Sequence, residues 1–201
     1  MIPLENLTAK FDPLTGAVEG VEATRRHLSD LRDAFADPAA VDRIVEHADP
    51  VVYTISSVKT GTGEGALQYG VACIMPGQVN GEYYLTKGHI HAWRPAAEVY
   101  IGFRGRGKMI LQEESSSTAT IVDLFPHSAV YVPGSTAHRT VNTGDEPLIY
   151  MGVYPALAGH DYTPLAGNNF SKVVVARNGT AVVLDRSAFM ASLTSNTPDQ
   201  E

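Results

Sequence analysis

The chain has 201 residues, enough for one domain with a real core and short for two. Its net charge of −7 argues against nucleic acid as a main partner, since phosphate backbones call for a surplus of Lys and Arg. A single cysteine, Cys73, excludes an internal disulfide framework; it lies in the apolar run "GVACIMPG" and reads as a buried strand residue.

The N-terminus shows no basic segment followed by an apolar core, and no apolar run approaches the length of a membrane span. A cytoplasmic protein with no membrane partner is the expectation. Residues 1–22 alternate turn signals ("DPLTG", "VEG") with short apolar pieces, as a peripheral hairpin or arm would. In "TRRHLSDLRDAF" (24–35), Leu28, Leu31 and Phe35 stand at helical spacing. Asp37 then offers an N-cap and Pro38 a first-turn residue for a second short helix, closed by Pro50.

After Pro50 the texture becomes strands punctuated by Gly, Pro and Asn. "PVVYTISSVK", "ALQYGVACIM", "EYYLTKGHIHAW", "TATIVDLF", "SAVYVPG", "HRTVNTG" and "PLIYMGVYP" each read as a strand. "AEVYIGFRGRGKMILQ" reads as two strands about a basic hairpin turn at Gly105 and Gly107. "FSKVVVARNGTAVVLD" reads as a hairpin with Asn178-Gly179 in a type I′ turn. So many short strands with few helices predict an all-β barrel or jelly roll. The organisation expected is an arm with short helices over 1–50, a barrel over 51–190 and a polar tail over 191–201, as a single domain.

Chemistry concentrates in "TKGHIHAWRPAAEVY" (86–100). Alternate residues of a strand share a face, so His89 and His91 project together and Ile90 opposes them. Such a pair is frequent on surface strands and means little alone. Arg94 and Pro95 suit a turn that brings Glu98 back beside the imidazoles. In "VYVPGSTAHRTVN", His138 is available as a fourth ligand across a barrel. Three His and one carboxylate suit Fe²⁺, Mn²⁺, Ni²⁺ or Zn²⁺, with room for substrate or water. Lys87 and Arg139 flank ligands, and both are read as outer-face charges.

"GHIHAWRPAAEVYIGFRG" and "VYVPGSTAHRTVN" resemble the two cupin motifs, with His127 standing where the second motif opens on glycine, and Gly134 displaced from the usual position 135. Together with "DPVVY", "YPALAGHDY" and "NNFSK", they resemble the cupin-type glucose-6-phosphate isomerases over residues 8 to 185. The resemblance implies a cupin fold, a double-stranded β-helix or jelly-roll barrel, and a homodimer. It implies interconversion of glucose 6-phosphate and fructose 6-phosphate with one divalent metal, Fe²⁺ foremost, on His89, His91, Glu98 and His138.

The same resemblance places the sugar phosphate against Thr86 and Gly88, lines the site with Tyr53, Tyr154 and Tyr162, and sets His160 near the sugar. Tyr100, two past Glu98 on one strand face, also points inward. Glu98 is the expected base of a cis-enediol route, with His160 and Tyr154 as helpers. One departure stands out: Ala72 is apolar where relatives offer phosphate a hydroxyl. Competing readings are an Fe²⁺ dioxygenase and a non-enzymatic sugar-binding cupin, since one fold hosts many functions. Regular alternation turns Thr86 and Gly88 away from the histidine face. A bulge at Gly88 is therefore required if Thr86 is to reach phosphate.

Overall fold

A computed structural model describes residues 8–116, 118–167 and 169–195. The architecture is all-β with short helices, as expected. Strands β1 (Thr24–His27), β2 (Val51–Val58), β3 (Leu67–Ile74), β6 (Glu98–Arg104), β9 (Ala129–Val132) and β11 (Leu148–Pro155) form one antiparallel sheet in the order β1-β2-β3-β11-β6-β9. A second layer comprises β8 (Ala119–Leu124), β7 (Gly107–Glu113) and β10 (Thr136–Asn142). A bridge between Leu85 and Val141 extends it toward β4 (Gln78–Val79), β5 (Glu82–Tyr83), β12 (Lys172–Arg177) and β13 (Thr180–Asp185).

From β6 to β11 the chain crosses repeatedly between the layers in jelly-roll fashion, with β7 and β8 paired as neighbours in the second. Among the described residues the pairings leave open sheet edges rather than a closed barrel. One apolar cluster runs between the layers, joining Ile74, Tyr100 and Tyr150 to Met109, Ile110, Val141 and Val174. Asn142, fully buried, ties them further through Nδ2–H donors to the Ile74 and Glu146 carbonyls at 2.9 and 2.8 Å.

Several local expectations change. Thr24–His27 is a strand paired to β2, followed by a 3-10 helix at Ser29–Ala34, where the spacing suggested one α-helix. Leu28, Leu31 and Phe35 are all buried, so the apolar positions were legible. Sheet pairing at Arg26↔Tyr53 overrides the weak helical preference. Asp37 does cap α1 (Pro38–Val45), accepting from the Ala40 N–H at 2.9 Å.

The turn at 105–106 is not a hairpin. β6 pairs with β11 and β9, whereas β7 pairs with β10 and β8, so the turn carries the chain between sheets. Gly105 is suited to it, with φ +76 and the Pro147 carbonyl only 2.5 Å from where a Cβ would lie. His127 (φ +69) and Ser135 (φ +56) adopt left-handed backbone at the two turns where glycine was the expected residue.

The N-terminal arm is not left without a partner. Phe11 bridges Val18 and packs on Phe103 with ring centroids 4.9 Å apart, while Val18 joins Cys73 and Ile149 in a second small core. Residues 1–7 of that arm lie outside the described residues. The expected tail is also partly structured. Residues 191–195 finish a helix, α2 (Arg186–Ser195), whose Phe189 is buried; residues 196–201 lie outside the described residues. No described helix is long and apolar enough to cross a membrane.

Candidate metal centre and substrate cavity

The segment 85–91 is laid along β10 by an irregular ladder. Leu85 bridges Val141, yet His89 bridges His138. Four residue steps on one side thus span three on the other, which is a one-residue bulge. Gly88 occupies it with φ +75, and a Cβ there would meet Phe170 Cε2 at 2.6 Å. Beyond the bulge, main-chain bonds His138 N–H to His89 O (2.9 Å) and His89 N–H to His138 O (3.2 Å) lock two imidazoles side by side.

The chain then turns at Arg94–Pro95 and enters β6 at Glu98, which pairs with Val132 of β9. This return puts the carboxylate against the rings, with Glu98 Oε2 at 3.3 Å from His91 Nε2 and 3.2 Å from His138 Nε2. One ligand atom each from His89, His91, Glu98 and His138 gather within 4.8 Å of one another.

The donor set fits a divalent cation on two observations. His89 Nε2, Glu98 Oε2 and His138 Nε2 are buried with no hydrogen-bond partner, an arrangement that costs stability unless something else engages them. The far nitrogens are engaged: His91 Nδ1 lies 3.0 Å from the Ala96 carbonyl and His138 Nδ1 3.1 Å from the Thr136 carbonyl. A carbonyl accepts only, so Nδ1 carries the proton and each Nε2 presents a lone pair to the cluster.

Charge reinforces this. Burial, with His138, His160 and His91 as neighbours, holds His89 well below its ordinary pKa, in the neutral form a ligand needs. Burial tends to raise the Glu98 carboxyl, but the His138 and His91 rings facing it outweigh burial and pull the group down to about 2.

The cluster stands at one wall of a cavity of about 580 Å³, a usual size for a small-molecule site. Tyr53, Tyr100, Tyr154, His160 and Tyr162 all line it, as does Ala72. Tyr100 is raised well above its usual pKa by burial and by the nearby carboxylate of Glu98. His160 is lowered by burial and by His91, and its ring centroid lies 4.3 Å from that of His89. Gly152 of β11 makes room for the carboxylate, since a Cβ there would sit 2.4 Å from Glu98 Oε1.

Two expectations about the near-histidine segment need correction. Thr86 is not among the cavity's lining residues; its Oγ1 accepts the Thr140 N–H at 3.1 Å. Lys87, expected on the outer face, lines the cavity with His89 and His91, the residues two and four further on; its ammonium lies 4.7 Å from the Tyr162 ring centroid. Arg139 does turn away from the ligand face but is no surface charge. Only 2% exposed, it donates to the carbonyls of Lys87 (2.7 Å) and Ala34 (3.2 Å) beneath the 3-10 segment and over the Phe170 ring.

Sequence reasoning missed Arg26, Ser57 and Tyr150, which also line the cavity. Arg26 faces Tyr53 across the β1–β2 pairing. Arg26 beside Tyr53 and the Lys87 ammonium over Tyr162 thus put two cations on the cavity lining. A larger cavity of about 1060 Å³ lies beyond Lys87 and Tyr162, against Arg139 and Arg186, and holds none of the four clustered residues.

Comparison with known proteins follows the same direction. The family model described as Glucose-6-phosphate isomerase (GPI) matches residues 25–190. A glucose-6-phosphate isomerase of Pyrococcus horikoshii is 44% identical over 181 residues, spanning 90% of this chain and 95% of that protein. One of Thermococcus litoralis is 42% identical over the same shares, and one of Sinorhizobium medicae is 34% identical over 87% of this chain and 82% of that protein. Among solved structures, oxalate oxidase with glycolate overlays 59% of this chain and 58% of its own, with TM-score 0.48 and 14% identity.

Proposed function

The chain belongs to the glucose-6-phosphate isomerase family, and we propose that it interconverts glucose 6-phosphate and fructose 6-phosphate by a metal-assisted cis-enediol route with Glu98 as base. The observation that carries this reading is the split position of the Glu98 carboxylate. Oε2 belongs to the ligand cluster, while Oε1 lies over Gly152 in the wall of the cavity. On this reading one oxygen holds a cation and the other moves a proton.

His89, His91, Glu98 and His138 would hold the ion, Fe²⁺ foremost and Mn²⁺, Ni²⁺ or Zn²⁺ also suited to the donor set. When bound, such an ion supplies electrophilic stabilisation of oxyanion charge on the sugar.

The rest is protein chemistry. Glu98 takes the proton from C2 of the open-chain aldose. The C–H electron pair becomes the C1–C2 double bond, and the carbonyl pair moves onto O1, which is protonated. Glu98, whose carboxyl proton exchanges in part with solvent, then protonates C1 as O2 loses its own proton, which gives the ketose. His160, kept neutral by burial and by His91, can accept and release a proton on the sugar oxygens. The Tyr154 hydroxyl, raised by burial and by Glu98 and hydrogen-bonded to Ser57, stays protonated and can donate to them.

Arg26 and Lys87 give the phosphate two cations at the mouth, with Tyr53 and Tyr162 beside them. That arrangement compensates for the missing hydroxyl at Ala72. The same reading takes the protein as a homodimer, which sedimentation velocity tests.

A coupled assay on metal-stripped protein, reconstituted ion by ion, should restore isomerase activity. Folded, metal-loaded protein that turns over neither sugar phosphate would refute the reading. Loss of deuterium from C2-labelled substrate to solvent supports the enediol route; complete retention through turnover points to a hydride shift and removes Glu98 as base.

A further inference from the structure

Arg94 sits in the turn between the two ends of the ligand cluster, one-third exposed and fully engaged. Its Nη1 donates to the His91 carbonyl at 2.6 Å. Its Nε and Nη2 form a bidentate pair with Glu114 at 2.7 and 2.6 Å, and Nη2 also reaches Asp161 Oδ2 at 2.8 Å. Its own carbonyl accepts the Ser135 N–H at 2.6 Å. One side chain thus joins the His91 backbone, the end of β7 and the loop over 156–165.

That loop carries His160 and Tyr162 over the cavity. Apart from Arg94, it docks on the ligand segment through few bonds: the mutual pair between Ile90 and Asp161 (3.1 and 2.8 Å), and Trp93 N–H to the Ala158 carbonyl at 2.9 Å. Asp161 is the pivot, since its Oδ1 also caps the Thr163 N–H at 2.9 Å. Gly159, with φ +59, supplies the turn just before His160.

We propose that Arg94 is a positioning residue: through Asp161 it holds the 156–165 loop closed on the ligand segment, and so sets the fraction of molecules in which His160 and Tyr162 face the substrate. The inference rests on the isomerase reading for its kinetic consequence, but not for its structural one. Where only a fraction of molecules is competent, apparent affinity falls by that fraction while turnover at saturation is retained. Arg94 touches neither the cavity's reacting groups nor the ligand atoms, so its effect travels through the loop.

The test pairs hydrogen exchange with kinetics on Arg94→Met, Arg94→Lys and Asp161→Asn in the metal-loaded protein. Asp161→Asn keeps an oxygen for the Thr163 N–H and removes only the charge. The expected result is amide exchange at Ile90 and Asp161 faster by about tenfold in Arg94→Met and Asp161→Asn, a local opening rather than a global one. Arg94→Lys, which has a point charge and no fork, should fall between these and the parent.

KM for glucose 6-phosphate should rise severalfold with kcat within about twofold, and metal content should stay at the parent level. Parent-like exchange at those amides in all three variants would overturn the proposal, even with an active enzyme. Faster exchange with no change in KM would also overturn it. An inactive parent protein would refute the isomerase reading and leave the exchange result to decide the loop.

Discussion

Replacing Gly152 with alanine isolates the demand that the cluster makes on Glu98. Gly152 lies inside β11, paired to Gly70 of β3 on one side and Tyr100 of β6 on the other, so its backbone is fixed by the sheet. The added methyl would sit 2.4 Å from Glu98 Oε1 and 3.5 Å from its Cδ. An ordinary contact needs roughly 3.4 Å or more, so the carboxylate must retreat by about 1 Å. In a solvent-facing glutamate that adjustment costs little. Here it drags Oε2 off the two imidazoles at 3.3 and 3.2 Å.

Metal sites tolerate about 0.2 Å in ligand position, and a misplacement of about 1 Å near the chemistry costs about 100-fold in rate. We therefore expect Gly152→Ala to lower metal affinity by about 10- to 100-fold and kcat by about 100-fold at saturating metal. The backbone is in a region any residue adopts, so thermal stability of the metal-free protein should change by no more than about 1 kcal/mol. Equilibrium dialysis, the coupled assay and a melting curve separate these effects. Wild-type metal affinity together with wild-type turnover would show that Glu98 is free to move, and would refute its double role.

Arg26→Met and Lys87→Met should each raise KM for glucose 6-phosphate by about 10- to 100-fold, the worth of one charge-assisted contact, with no comparable effect on unphosphorylated glucose; equal effects on both sugars would refute a phosphate seat at the mouth. Arg139→Met should destabilise the fold by about 2–3 kcal/mol in urea titration, because it strips donors from the Ala34 and Lys87 carbonyls beneath the 3-10 segment; an unchanged midpoint would argue against that anchor. Metal affinity should fall in acid. Burial opposes charge on His91, but the Glu98 carboxylate and the Ala96 carbonyl, both acceptors for the ring, outweigh it and raise its pKa above 6.5, so protons begin to compete for that ring above pH 6.5. Equilibrium dialysis between about pH 8 and about pH 5.5 should show up to tenfold loss per unit for that one proton; a flat profile would remove His91 from the ligand set.

The parts of this fold legible in the sequence are those set by local chemistry. Strand alternation in "GHIH" and a turn at Arg94–Pro95 were enough to bring His89, His91 and Glu98 together. Asn178-Gly179 produced its hairpin, with positive φ at both residues. Asp37 capped α1 for the reason its side chain suggests. What failed was set by partners distant in sequence. "TRRH" carries no strand pattern, and becomes one because β2 offers an edge to pair with. Arg26 was invisible for the same reason, since a charged run reads as a solvated face until a sheet aims one member at a cavity. Arg139 was correctly turned from the ligands, but only the packed fold shows what covers that outer face.

Lys87 is where the outer-face expectation fails most plainly. Period-two alternation from His89 puts residues 87 and 91 on one face and 86, 88 and 90 on the other, and Lys87 lines the cavity with both histidines. The extra residue between the Leu85–Val141 and His89–His138 bridges offsets the pairing with β10 by one. Gly88 permits this, since φ +75 and the closeness of Phe170 leave no room for a side chain. The Thr86 hydroxyl meanwhile accepts the Thr140 N–H, and Thr86 does not line the cavity that Lys87 does. A cation two residues before His89 on its own face, beside one supplied by a strand the sequence conceals, is how this chain furnishes charge at the mouth of a pocket whose Ala72 wall offers none.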